Sequence, residues 1–126
     1  CSSPTNCEAV GGSGDGALAE AWDGQVWTLQ SVPNASGAPT PIYLNGVSCP
    51  AAGACIAVGT EDGPSLTFGE RWNGISWTAD ATIQGRLGTA DSLAGVSCTS
   101  GLACIAVGQY VSDNDAFYQA LIERRS

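Results

Sequence analysis

The stretch GVSCPAAGACIAVG, residues 46–59, returns almost letter for letter as GVSCTSGLACIAVG, residues 95–108. A weaker copy lies at the start of the chain, in residues 1–11. The first cysteines of the three copies stand 48 and 49 residues apart. A repeat of this length with short apolar runs and glycine-rich turns predicts a series of small antiparallel β-sheets, one per repeat.

The composition excludes several classes of function. Twelve acidic residues face four arginines, and the net charge of −8 argues against binding to nucleic acid or to an anionic membrane. The absence of histidine removes the commonest general base and the commonest transition-metal ligand. No stretch approaches the roughly 18 apolar residues of a membrane-spanning helix. An initial cysteine indicates a processed or excerpted chain.

The six cysteines form three C-x5-C pairs, one in each repeat. Because the same local bridge can form three times, the repetition predicts the disulfides Cys1–Cys7, Cys49–Cys55 and Cys98–Cys104. A metal site is the less favoured alternative, since there is no CxxC motif and no histidine. Disulfides in a small domain indicate an oxidising, extracellular compartment.

The motif W-[DN]-G-x-x-W occurs at residues 22–27 and 72–77. Asp-Gly and Asn-Gly between two strand-like runs predict two-residue type I′ hairpins. That register pairs Trp22 with Gln25 and makes the two tryptophans of each motif diagonal neighbours. It places Glu20 opposite Trp27 and Glu70 opposite Trp77. The predicted apolar faces are Leu18, Trp22, Trp27 and Leu29 in the first repeat, and Phe68, Trp72, Ile75 and Trp77 in the second.

The repeats divide the chain into unit 1 (residues 1–41), unit 2 (42–91) and unit 3 (92–126), within a single repeat domain. Unit 1 lacks the G-V-S strand at its start, and unit 3 stops where its W-N-G turn should begin. Residues 55–59 are nearly all apolar, which predicts a strand buried on both faces. No segment of ten or more residues has a helical period, so we expect an all-β fold.

The order G-V-S-C…C-x-A-V-G…E-R-W-N-G-x-x-W resembles the repeats of secreted bacterial β-propeller proteins. The resemblance covers essentially the whole chain and is most specific for unit 2. It implies one four-stranded blade per unit, about two and a half blades in all, and a ring of several blades. It therefore implies that the chain is part of a larger ring or associates to close one. The motifs are architectural, and the resemblance brings no catalytic residues.

The tryptophans are the candidate ligand-binding residues. Aromatic faces suit the C–H faces of sugar rings, so Trp22, Trp27, Trp72 and Trp77 could form a glycan platform. Their repetition at matching positions instead favours a role in the core between units. We expect a non-catalytic extracellular recognition module, secreted or at the cell surface, that binds glycan or protein through blade loops.

Other chemistry is less favoured. A glycosidase-like pair could be built from Glu20 and Glu70, but carboxylates at equivalent repeat positions are more simply structural. The acidic turns at Asp15, at residues 61–62 and at residues 113–115 could hold Ca²⁺, but their spacings differ and solvated loop tips are favoured. Asn34 begins a glycosylation acceptor motif. We expect no enzyme activity, no metal and no cofactor.

The alternative function is structural self-assembly. The incomplete third unit should present an unpaired strand edge over residues 117–124, and an edge this long and apolar favours association. The residues of this edge are Phe117, Gln119, Leu121 and Ile122. Chains covering one another's edges would give a homo-oligomer, as a closed ring or an open filament.

Overall fold

The fold is all-β, as the sequence predicts. The computed structural model describes residues 1–33, 40–62, 66–83, 91–112 and 117–125. Within these ranges the only helical element is a 3₁₀ turn at Ala81–Ile83, and no helix there is long and apolar enough to cross a bilayer. The strands form three antiparallel sheets, which we call sheets 1, 2 and 3 in chain order.

Each sheet is built from consecutive strands joined by hairpins. Sheet 1 contains β1 (Cys7–Ser13), β2 (Gly16–Trp22) and β3 (Trp27–Gln30). Sheet 2 contains β4 (Ile42–Ala51), β5 (Ala54–Glu61), β6 (Leu66–Trp72) and β7 (Trp77–Ala79). Sheet 3 contains β8 (Ser92–Ser100), β9 (Ala103–Val111) and β10 (Tyr118–Arg125).

The three disulfides are those that the repeat predicts: Cys1–Cys7, Cys49–Cys55 and Cys98–Cys104. In sheets 2 and 3 the bridge joins the first two strands close to their hairpin turn. In sheet 1 it ties the start of the chain to β1. The six cysteines are all bridged.

The sheets stack in chain order and converge at their first strands. Glycine fits the close approach at this contact, because a Cβ at Gly46 would lie 3.1 Å from the Cα of Gly95 in the next sheet. Two hydrogen bonds cross the same contact. The Asn45 side-chain amide donates to the Leu93 carbonyl at 2.8 Å, and the Cys98 backbone N–H donates to the Ser48 hydroxyl at 3.0 Å.

Alternation of side chains gives each sheet two faces, which we name by their residues. The front face carries the second cysteine of the disulfide and the alanine two residues later, and the back face carries the valine one residue beyond that alanine. The front pairs are Cys7 and Ala9, Cys55 and Ala57, and Cys104 and Ala106. The back valines are Val10, Val58 and Val107.

Two apolar cores lie where the front face of one sheet packs on the back face of the sheet before it. The first joins Phe68 and Trp77 on the front of sheet 2 to Ala19 and Val10 on the back of sheet 1. The second joins Leu121 and Ala106 on the front of sheet 3 to Val58 on the back of sheet 2. The same surfaces therefore meet in the same order at both interfaces.

Candidate functional site

The hairpin turns of the W-[DN]-G-x-x-W motifs position the tryptophan pairs. The Asp23 carboxylate accepts hydrogen bonds from the backbone N–H groups of Gln25 and Val26 at 2.8 and 2.9 Å. These bonds hold the pKa of Asp23 below its ordinary value. The Asn73 side-chain oxygen accepts the same two bonds from Ile75 and Ser76, both at 2.9 Å.

This geometry corrects the predicted register by two residues. The loops contain four residues rather than two, so Trp22 pairs directly with Trp27, and Glu20 lies opposite Leu29. In sheet 2, Trp72 pairs with Trp77 and Glu70 lies opposite Ala79. Ile75 is in the loop and 86 % exposed, so it does not join the apolar face. The prediction was wrong because the Asp and Asn side chains close a longer loop.

The two tryptophan pairs have the same geometry and different surroundings. Their ring centroids are 5.5 Å apart for Trp22 and Trp27, and 5.6 Å apart for Trp72 and Trp77. Trp77 is only 2 % exposed, and its indole N–H donates to the Gln30 side-chain oxygen at 2.6 Å. Trp27 is 48 % exposed. Trp77 is thus part of the core and Trp27 has an accessible face, while Trp22 and Trp72 are both half-buried.

The front face of sheet 1 is open. Leu18, Trp27 and Leu29 are 37, 48 and 66 % exposed. The counterparts of Leu18 and Trp27 in sheet 2 are Phe68 and Trp77, which are 1 and 2 % exposed because they pack on sheet 1. Glu20 is the one charged residue on the strands of this face.

The back face of sheet 3 is open as well. Ile105, Val107 and Ile122 are 52, 47 and 70 % exposed. The counterparts of Ile105 and Val107 in sheet 2 are Ile56 and Val58, which are at most 1 % exposed. A depression of about 390 Å³ lies on this face beside Ile105 and Val107. Arg124 is the one charged residue on its strands.

Three equivalent glutamates lie on the front faces, each paired with an alanine: Glu20 with Ala9, Glu70 with Ala57, and Glu123 with Ala106. Glu70 is completely buried, neither of its carboxyl oxygens has a hydrogen-bond partner, and burial raises its pKa to about 7. Burial also raises the pKa of Glu123. A 3.1 Å hydrogen bond from the Thr67 hydroxyl lowers this pKa, and the nearby charge of Asp91 raises it further. Glu20 is only half-buried.

This placement does not bring Glu20 and Glu70 together as a carboxylate pair. They lie on the front faces of different sheets, and Glu70 is closed off from solvent. A further carboxyl, Glu8, lies on the back of sheet 1, where burial raises its pKa despite a 3.4 Å hydrogen bond from Gln30.

An ion pair between units 2 and 3 was missed from the sequence. The Arg125 Nε lies 2.6 Å from the Asp80 carboxylate, and Arg125 also donates to the Gly101 carbonyl. Burial opposes ionisation of Asp80, but hydrogen bonds from Thr82 and the arginine charge hold its pKa below the ordinary value. In the register Arg125 occupies the position of Trp72, since both pair with the second cysteine of their unit. This alignment of Arg125 with a tryptophan position was the signal of the ion pair that the sequence offered.

The acidic turns fall in different environments. Asp15 is exposed, whereas Glu61 is buried and accepts a hydrogen bond from the Thr40 hydroxyl at 2.8 Å. Residues 113–115 and Asn34 lie outside the described residues. Across the ranges that the structure describes, no three Cys, Asp or Glu side chains lie together as metal ligands.

Strand β10, which carries the predicted association edge, is the outer strand of sheet 3 in the part of the chain that the structure describes. Phe117 and Ile122 are 78 and 70 % exposed. Gln119 is half-buried beside the Tyr110 hydroxyl, which donates to it at 2.8 Å. Leu121 is 3 % exposed and packs in the core against sheet 2, so its side chain is not part of the surface.

Fold and site together define a disulfide-bridged, all-β repeat protein with two open apolar sheet faces. Comparison of the chain with protein-family models, curated proteins and solved structures finds no match.

Proposed function

We propose that this chain is a non-catalytic, extracellular repeat module of β-propeller type whose function is assembly through its two open faces. The observation that carries the proposal is the equivalence of buried and open faces. Positions that are 0–2 % exposed inside the stack, such as Val58 and Trp77, are about half exposed at its ends, at Val107 and Trp27. Apolar surface in such contiguous patches favours a partner.

The partner is a second copy of the chain, joined front face to back face. Both internal interfaces already join a front face to a back face, so the open pair has the same complementary surfaces. Such a contact is heterologous, so repeated association closes a ring or extends a filament.

Two differences make this contact weaker than the internal ones. In the described residues sheet 1 has no strand that corresponds to β4 and sheet 3 has none that corresponds to β7, so the contact joins three strands of each sheet. Ile122 also stands where sheets 1 and 2 carry Ala19 and Gly69. We therefore expect reversible association rather than a permanent complex.

The extracellular assignment is supported by the disulfides. Three bridges in a small all-β chain are typical of an oxidising compartment. Secretion or attachment to a cell surface is part of the proposal.

Sedimentation velocity over a range of concentrations tests the assembly function. The wild type should sediment as concentration-dependent oligomers, and Leu29→Asp and Val107→Asp should each reduce association by placing a charge on one open face. Gln25→Asp, which adds the same charge in an exposed turn, is the matched control and should associate like the wild type. A wild type that stays monomeric at every concentration would refute the proposal.

Recognition of a glycan or protein is the second candidate function, favoured by the exposed Trp22–Trp27 pair. Its test is tryptophan fluorescence with a panel of glycans, using Val107→Asp so that association does not cover Trp27. Saturable quenching by one sugar class, lost in Trp27→Ala, would support recognition. Silence across the panel would leave assembly as the function.

A further inference from the structure

The open front face of sheet 1 carries one glutamate, Glu20, which has counterparts in the other two sheets. Glu20 is the unit 1 member of the series Glu20, Glu70 and Glu123, and each of these glutamates pairs with the equivalent alanine of its sheet. Glu70 is completely buried, and Glu123, though half-buried, accepts a hydrogen bond from the back face of sheet 2. Association of two copies would cover Glu20 in the same way.

The interface between sheets 2 and 3 shows what such a glutamate contacts. Glu123 on the front of sheet 3 accepts its hydrogen bond from Thr67 on the back of sheet 2. The residues equivalent to Thr67 are Ala17 in sheet 1 and Ala120 in sheet 3. At the interface of sheets 1 and 2, where Ala17 takes the place of Thr67, Glu70 has no hydrogen-bond partner and is completely buried. Opposite Ala120, Glu20 would likewise meet no threonine hydroxyl, and its nearest polar neighbours on that face would be the Gln109 amide and the Tyr118 phenol. A neutral donor does not remove the effect of burial, since Glu123 accepts a hydrogen bond from Thr67 and its pKa is still raised.

The one cation on the opposing strands does not change this conclusion. Arg124 is four residues along β10 from Ala120, a separation of about 13 Å in an extended strand. The equivalent pair inside the stack, Arg71 and Glu123, forms no ion pair, and Arg71 is not among the causes of the raised pKa of Glu123. The front face of sheet 1 carries no second charged residue on its strands.

We propose that association of two copies takes up one proton at Glu20, so that assembly is favoured in acidic solution and lost in alkaline solution. This inference rests on the proposed assembly function and specifies its regulation. The physical reason is that a carboxylate without a partner is far costlier to bury than a neutral carboxylic acid. As the pH falls, covering Glu20 as the neutral acid costs less free energy, and as the pH rises this cost grows.

Sedimentation velocity between about pH 5 and about pH 8, at about 0.15 M salt to screen the net charge, tests the proposal. For one linked proton, the wild-type association constant should fall by up to about tenfold per pH unit. Glu20→Gln should associate with little dependence on pH. Asp15→Asn removes the same charge from an exposed turn and should retain the wild-type dependence.

A variant that should strengthen association tests the proposal without relying on a loss of binding. Ala120→Thr supplies at the open face the hydroxyl that Thr67 supplies to Glu123. It should strengthen association at about pH 8 several-fold, and not in the Glu20→Gln background.

The outcomes separate the regulation from the function on which it rests. If Glu20→Gln associates with the same pH dependence as the wild type, the proton is not taken up at Glu20 and this inference is wrong, while assembly stands. If neither the wild type nor Glu20→Gln associates at any pH, the assembly function is wrong, and the inference is overturned with it.

Discussion

The sequence CIAVG occurs twice, at residues 55–59 and 104–108, in the same strand of consecutive sheets. In sheet 2 its five residues are all buried. In sheet 3 the side chains alternate, with Ala106 buried and Ile105 and Val107 about half exposed. Since the two segments are identical, the difference comes from the neighbouring sheet. Burial in this protein is a property of the position in the stack.

The burial of the tryptophan pairs also depends on the neighbouring sheet, at the other end of the stack. Trp77 packs on sheet 1, whereas its counterpart Trp27 has no sheet in front of it within the described residues. An aromatic pair that looks like a binding platform in unit 1 is therefore core material in unit 2. The exposure of Trp27 is also explained by the lack of a sheet packed on it, so exposure alone does not indicate a binding role.

A matched pair of charge substitutions gives the strongest test of the difference between the two CIAVG strands. Val58→Asp places an unpaired carboxylate between two sheets and should cost more than about 4 kcal/mol of unfolding free energy. Val107→Asp makes the same change in the identical local sequence at an open face, and should change stability by about 0.5 kcal/mol or less. Denaturant unfolding in dilute solution measures both. Equal effects would show that the two faces are not different in burial.

The second test is the pH dependence of stability. The pKa of Glu70 is about 7 in the folded protein, against an ordinary value of 4.5. Because the pKa of Glu70 is raised in the folded state, its contribution to the free energy of unfolding is fully present below about pH 4.5. This contribution is lost as the pH rises to about 7. This change amounts to at most about 3 kcal/mol.

The variant Glu70→Gln should remove this part of the pH dependence, whereas Glu20→Gln should leave it unchanged under monomeric conditions. Thermal or denaturant unfolding at several pH values provides the measurement. Retention of the full dependence in Glu70→Gln would show that another group is responsible, and Glu8 and Glu123, whose pKa values are also raised, are the first alternatives.

A smaller effect is expected from the disulfides, and it should not depend on position in the stack. Replacing both Cys49 and Cys55 by alanine should cost about 2 kcal/mol, because the bridge closes a short loop in the unfolded chain. The Cys98–Cys104 bridge closes a loop of the same length, so replacing both of these cysteines should cost about the same. A much larger cost in sheet 2 alone would mean that the bridge there acts mainly through packing.

The repeat predicted the features that depend on local sequence. The C-x5-C spacing, repeated three times, predicted each disulfide, and the apolar run at residues 55–59 predicted a strand buried on both faces. The same run at residues 104–108 carries no signal that its back face is open. The pattern describes the residues of a strand and not the sheet beside it.

Two features depended on side-chain interactions that the pattern does not contain. The hairpin register was off by two residues because the Asp23 and Asn73 side chains accept backbone hydrogen bonds and stabilise a four-residue loop. The Asp80–Arg125 ion pair joins residues far apart in the chain, one of them at a position where the other units carry tryptophan. The repeat alignment places Arg125 at that position, but it does not identify Asp80 as its partner.

The central claim is that the open front face of one copy binds the open back face of another, and a mixing experiment tests it most directly. Leu29→Asp blocks the front face and Val107→Asp blocks the back face, so each variant alone should be monomeric by sedimentation velocity. Mixed in equal amounts, they should form a dimer and nothing larger, because one intact face of each kind remains. If either variant alone forms a dimer that mixing does not change, the contact joins like faces and the claim is contradicted.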